Sequence, residues 1–129
     1  MNEGEIVADA SAILAALKNE VFDKFDPRRL VEASISAVNL CEVLTKLTDD
    51  GLSESQANDA VAVLDLRIYP FGHGEAGDAA GLRPRTRGAG LSLGDRACLA
   101  LGAKLSCPVV TADRAWAGLD VGVEVILTR

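Results

Sequence analysis

Short apolar runs alternating with helix-forming stretches constrain this chain more than any other feature. IVA at 6–8 leads into ASAILAALK, SIS at 34–36 into AVNLCEVLTKL, RIYPF at 67–71 into EAGDAAGLRPRTRG, and VVT at 109–111 into DRAWAGL, with VEVIL closing the series. Runs this short, bounded by turn residues, read as strands, and strands that alternate with helices imply a mainly parallel sheet covered on both faces. The expected fold is α/β, with a central sheet of four to five strands between two helical layers. With 129 residues the chain fits one domain, 1–129, long enough to bury about two thirds of its unfolded surface.

Local signals place the remaining elements. DPRRL suggests a short helix with Asp26 as cap and Pro27 at its first position. Leucines at 40, 44 and 47 recur at helical spacing, and Gly51 stops that helix. Ser53 with Gln56 forms a capping box for QANDAVAVLDL, Pro70 weakens the RIYPF strand, and Pro108 ends LSLGDRACLALGAKL.

In parallel sheets ligands bind outside the carboxyl ends of the strands, which makes the acids informative. Asp9 follows directly on IVA, and Asp113 comes just after VVT, so both are expected at that edge. Each fits equally as an N-cap of the helix it opens. Asp95 stands at the entrance of LGDRACLALG, three residues after Ser92, which approximates a capping box. Glu42 lies at the margin of its helix's apolar stripe, where the plain alternative is a rim glutamate paired with Lys46 one turn on.

Four carboxylates brought together repel one another unless something positive is bound among them. His73 is the only histidine, so the ligands would be hard oxygens, suited to Mg²⁺ or Mn²⁺ over zinc. A cation bound there attracts a phosphodiester and activates water, which is the chemistry of a nuclease. The formal net charge of -6 excludes long-range attraction to nucleic acid, so phosphate chemistry has to be arranged locally.

These residues match a known pattern. IVADASAILA with Asp9 and Ser11, SAVNLCEVLTKL with Glu42, GLSLGDRACLALG with Asp95, and VVTADRAW with Thr111 and Asp113 resemble a PIN domain, in particular VapC toxins of bacterial toxin–antitoxin pairs. The resemblance covers nearly the whole chain. It implies a PIN-like three-layer α/β/α fold and a metal-dependent endoribonuclease with Mg²⁺ or Mn²⁺ held by Asp9, Glu42, Asp95 and Asp113. It also implies a homodimer restrained by a small antitoxin, with RNA as substrate. Ser11 and Thr111 are then expected to position a carboxylate, water or phosphate, and in-line attack would leave a 5′-phosphate. Ala8 departs from the family's larger apolar residue and makes the first strand weak.

Other stretches carry weaker signals. GHGEAG at 72–77 is a literal G-x-G-x-x-G, but Glu75 would face the pyrophosphate, so it reads as a glycine-rich loop. Arg83, Arg85 and Arg87 read as a solvated helix end, whereas Arg96 and Arg114, each following a site acid, are better placed for RNA phosphate. Trp116 reads as core. Cys41, Cys98 and Cys107 are odd in number and lack a C-x-x-C pair, so they read as buried small hydrophobes of a reducing compartment. MNEGEIV carries no signal peptide, and no run of 18 apolar residues occurs, so the expected protein is soluble, cytoplasmic and free of the membrane. Two rivals stand beside the nuclease. One is a catalytically inactive binding module whose acids only cap helices. The other is an aspartyl-phosphate phosphatase, which wants an Asp where Ser11 stands and a late lysine such as Lys104.

Overall fold

A computed structural model describes residues 4–129. The first strand, β1 (Val7–Ala8), is two residues long. Asp9 ends it in extended backbone and accepts a hydrogen bond from the Ala12 amide, so α1 (Ala10–Leu17) begins at once. A 3-10 turn at Pro27–Leu30, capped by Asp26, leads to β2 (Ser34–Ser36) and α2 (Ala37–Asp49). Next come α3 (Glu54–Ala62), which starts on the Ser53/Gln56 capping box, and β3 (Arg67–Tyr69), which stops before Pro70. The helices α4 (His73–Gly81), α5 (Arg83–Thr86) and α6 (Leu93–Leu105) precede β4 (Val109–Thr111). A 3-10 turn at Arg114–Trp116 and β5 (Val125–Leu127) complete the order.

The five strands form one sheet in the order β3-β2-β1-β4-β5, and every pairing is parallel. Strand pleating explains the two cores. Val7 and Val109 point to one face, where they meet Leu91, Cys98, Leu99, Leu101 and Trp116. Ile6, Ala8 and Val110 point to the other, against Ala12, Ile13, Leu30, Ile35, Val43 and Leu47. Strand order reverses at β1 and β4, so the crevice beyond their carboxyl ends is the position at which such sheets bind ligands.

Four local expectations need correction. GHGEAG is no loop: Gly72 is the cap and Gly74 and Gly77 lie inside α4, with Glu75 accepting from the Gly72 amide where a phosphate would have to sit. EAGDAAGLRPRTRG is broken after Gly81 into α4, α5 and a 3-10 turn, because Pro84 cannot continue the helix's hydrogen bonding. DRAWAGL forms only the 3-10 turn. Cys98 and Cys107 are buried, but Cys41 is exposed, since α2 turns Asn39, Val43 and Leu47 inward with Leu40 and Leu44 partly buried beside them. Among the described residues, no helix is long and apolar enough to cross a membrane.

Gly102 on α6 marks the closest approach of that helix to the sheet. A Cβ there would lie 2.5 Å from Val109 Cγ1 and 3.2 Å from the Cys107 carbonyl oxygen. The helix propensity gained by Gly102→Ala, about 1 kcal/mol, is outweighed because Val109 is fully buried and backbone cannot yield. Overpacking of this kind costs about 1–3 kcal/mol, so the variant is expected to melt several degrees lower. An unchanged or raised melting temperature would contradict the tight helix–sheet contact.

Candidate metal-binding cleft at the carboxyl edge of the sheet

Asp9 is the floor of the site. It is 4% exposed although it is a carboxylate, and three neighbours supply donors to it. Ser11 Oγ donates at 2.8 Å to Oδ1 and 2.9 Å to Oδ2, and the Ala12 amide donates to Oδ1 at 2.9 Å. Thr111 Oγ1, brought alongside by the β1–β4 pairing, donates to Oδ2 at 2.5 Å. Those two hydroxyls are themselves held, since Ser11 Oγ accepts from the Ala112 amide at 2.9 Å and Thr111 Oγ1 from the Asp113 amide at 3.0 Å. Burial still dominates and pushes the Asp9 carboxyl up to about 6, with the Asp95 charge adding to the rise and the Thr111, Ala12 and Ser11 hydrogen bonds opposing it.

Each remaining acid is placed by an element end or a helix face. Asp95 completes a capping box on α6, with Oδ2 accepting from the Ser92 amide at 2.9 Å and its own amide donating to Ser92 Oγ at 3.2 Å. Asp113 caps the 3-10 turn by accepting from the Ala115 amide at 2.9 Å. Both capping readings therefore hold, yet the same side chains face a common space. Asp9, Glu42, Asp95 and Asp113 line one cleft of about 310 Å³, together with Ser11, Leu14, Asn39 and Lys46.

Glu42 is not paired with Lys46. Lys46 lies 3.9 Å from Asp50, while Glu42 Oε1 accepts from Asn39 Nδ2 at 2.9 Å. Asn39 is the polar lining residue that the sequence pattern did not single out, and Lys46, expected only as a partner of Glu42, lines the cleft as well. For Asn39 the signal was present, as an amide one turn before Glu42 on what proves to be the buried face of α2. Beneath the cleft lies Cys98, whose thiol is raised well above its ordinary range by burial and then by the charges of Asp9, Asp95 and Glu42. It is held as a neutral thiol.

Arg96 and Arg114 do not line the cleft. Arg96 donates to the Ala79 carbonyl at 3.1 Å, and Arg114 to the Arg129 carbonyl at 3.4 Å. His73 opens α4, outside the cleft lining. Lys104 pairs with Glu75 at 2.9 Å, also outside, which leaves a phosphatase without its lysine.

The donor set suits a hard divalent cation. All four acids offer oxygen, and the repulsion between Asp9 and Asp95 is relieved by positive charge between them. Glu42 and Asp113 are exposed at the rim, so their carboxylates are free to turn toward an ion. Among the described residues, no three His, Cys, Asp or Glu side chains already converge on one point as metal ligands do.

The model of the PIN domain family matches residues 6–121. No curated protein matches the chain by sequence. Among solved structures, DNA-bound VapBC from Salmonella typhimurium has a TM-score of 0.73 at 15% identity, with 97% of this chain and 98% of that one covered. VapBC-5 from Mycobacterium tuberculosis has a TM-score of 0.62 at 21% identity, covering 98% of each chain. VapC20 from Mycobacterium tuberculosis, described as a sarcin-ricin loop cleaving toxin, has a TM-score of 0.62 at 19% identity, covering 90% of this chain and 97% of that one. At these identities the likeness is one of fold.

Proposed function

We propose that this chain, which belongs to the PIN domain family, is a Mg²⁺- or Mn²⁺-dependent endoribonuclease and the toxin of a toxin–antitoxin pair. The observation that carries the proposal is the gathering of Asp9, Glu42, Asp95 and Asp113 around one cleft at the reversal point of a parallel sheet. The toxin role is supported by fold neighbours described as VapBC and toxin–antitoxin complexes. It carries with it a homodimer, a small antitoxin partner and a cytoplasmic setting, with residues 1–129 acting as one domain.

Asp9, Glu42, Asp95 and Asp113 would hold the cation. Bound there, a divalent cation supplies Lewis acidity for the scissile phosphate and for an attacking water. The chain's own residues do the rest. Ser11, Thr111 and the Ala12 amide fix both oxygens of Asp9 so that the buried carboxylate cannot rotate away. The caps at Asp95 and Asp113 hold one oxygen of each side chain against backbone and leave the other for the cleft. Lys46, the one cation among the lining residues, offers its ammonium to an RNA phosphate entering past Glu42.

The test is cleavage of a mixed RNA pool by purified protein freed of any antitoxin. With Mg²⁺ or Mn²⁺ we expect fragments carrying 5′-phosphates, and with EDTA or Glu42→Gln a rate lower by roughly a hundredfold. Cleavage that persists in EDTA would overturn the metal mechanism. Absence of cutting on every RNA, with no Mn²⁺ binding, would favour an inactive module whose acids serve as caps.

A further inference from the structure

Asn39 is the most deeply buried polar side chain on α2, at 1% exposure. Both of its amide hydrogens are used: Nδ2 donates to Glu42 Oε1 at 2.9 Å and to the Gly94 carbonyl at 3.0 Å. One amide thus ties α2 to the first turn of α6, and these are the elements that carry Glu42 and Asp95. The orientation is set by its partners, because the flipped amide would turn its oxygen onto a carboxylate and a carbonyl, both acceptors. In this orientation Oδ1 is buried with no partner among the described residues.

Gly94 completes the arrangement. A Cβ at that position would lie 2.4 Å from Glu42 Oε2 and 2.5 Å from Oε1, so the Glu42 carboxylate rests on bare backbone at the N-terminus of α6. That end of a helix favours negative charge. A half-satisfied buried amide is a poor way to stabilise a fold, whereas an apolar residue would fill the same face of α2 beside Val43 and Leu47. The polar choice makes sense through what it holds.

We propose that Asn39 is a positioning residue. Its amide, with the uncovered backbone of Gly94, pins Glu42 Oε1 to the start of α6 and leaves Oε2, to which no described residue donates, for a divalent cation shared with Asp95. This rests on the metal-nuclease reading above. Asn39 itself touches neither cation nor RNA.

The experiment is Mn²⁺ titration, followed by the electron paramagnetic resonance of free Mn²⁺, on wild type, Asn39→Leu, Glu42→Gln and the double variant, with melting curves in EDTA. Leucine keeps the branched heavy-atom shape and removes the unpaired acceptor, but it is bulkier and leaves the Gly94 carbonyl without its donor, so Asn39→Leu should fold and melt metal-free a few degrees below wild type. It should bind Mn²⁺ on the order of tenfold more weakly, as loss of partners that orient metal ligands does. In the Glu42→Gln background the same change should add less than about twofold if Asn39 acts only through Glu42. In cleavage, saturating Mn²⁺ should restore most of the Asn39→Leu rate with KM for RNA unchanged, which a damaged fold would not allow.

Mn²⁺ affinity in Asn39→Leu within about twofold of wild type, or a full tenfold effect that survives in Glu42→Gln, overturns the assignment. Should Asn39→Leu fail to fold, Gly94→Ala tests the same clamp, since the three atoms nearest to its added methyl all belong to the Glu42 carboxylate, which must give way. It too must weaken Mn²⁺ binding, and unchanged affinity rejects the clamp. Wild type that binds no Mn²⁺ overturns the nuclease reading and the positioning role with it, an outcome distinct from normal binding indifferent to Asn39.

Discussion

Asp9→Asn is expected to leave the protein folded, to lower metal-dependent RNA cleavage by roughly a hundredfold or more, and to remove a stability change between about pH 4 and 6. Burial pushes the Asp9 carboxyl up to about 6 from an ordinary 3.8. On acidification the native state therefore takes up this proton before the unfolded state does. Metal-free stability contributed by Asp9 accordingly rises as pH falls through about 6, levels off below about 4, and is lost again as pH is raised. A shift of about two units is worth about 3 kcal/mol.

An asparagine carries no charge to desolvate, so at neutral pH the metal-free variant is expected to be the more stable protein. The gain is smaller than the full linkage energy, about 1–2 kcal/mol, because the new amide hydrogens and the Ser11 and Thr111 hydroxyls must rearrange. Their 3.2 Å separation allows one hydroxyl to donate to the other. Urea melts of both proteins in EDTA, from about pH 4 to 8, isolate the Asp9 contribution as their difference. Parallel curves would mean that Asp9 is neither desolvated nor coupled to Asp95. Added Mn²⁺ should reverse the ranking at neutral pH by stabilising wild type alone, by about 2.7 kcal/mol at a concentration one hundred times its Kd.

What was legible beforehand divides along physical lines. Strand ends and helix caps are governed by a few adjacent residues, so Asp9 after IVA and Asp113 after VVT could be placed at the carboxyl edge, and Asp95 after Ser92 at a helix entrance, without knowledge of the fold. The alternation of short apolar runs with helices sufficed for a parallel sheet, and the resemblance sharpened it to the PIN arrangement that the family match shows. Features that depend on a distant partner were not legible. Leucine spacing on α2 marked a side on which Leu47 is buried and Leu40 and Leu44 pack against the core, but it gave no sign of Asn39, which is admitted to the core by Glu42 and by Gly94, 55 residues away. Arg96 looked free for phosphate because nothing local reveals the Ala79 carbonyl that accepts from it. Likewise GHGEAG obeys a loop motif by letter, and only Glu75 folding back on Gly72 turns it into a helix start.

Trp116→Ala carries the largest expected loss of stability. The indole is fully buried among Val7, Leu91, Leu99, Val109 and Val121, and removal of a side chain this size leaves a cavity the fixed sheet cannot close. The cost is about 3–5 kcal/mol, a fall of about 10–20 °C in melting temperature for a chain of this size. Trp116→Phe should lose far less, about 1 kcal/mol, since it keeps an aromatic ring in place and removes an indole N–H that has no partner among the described residues. The difference between the two variants measures packing, and equal losses would place the energy elsewhere. A second effect follows from position. Trp116 is the last residue of the three-residue turn that Asp113 caps, and so short a turn has little helical stability of its own. With its anchor removed, the turn should loosen well below the melting temperature and take Asp113 with it. Trp116→Ala is therefore expected to weaken Mn²⁺ binding at a temperature where its sheet is still intact by circular dichroism, while Trp116→Phe binds as wild type does. Normal affinity in Trp116→Ala would show that Asp113 keeps its place without the turn or has no part in holding the ion.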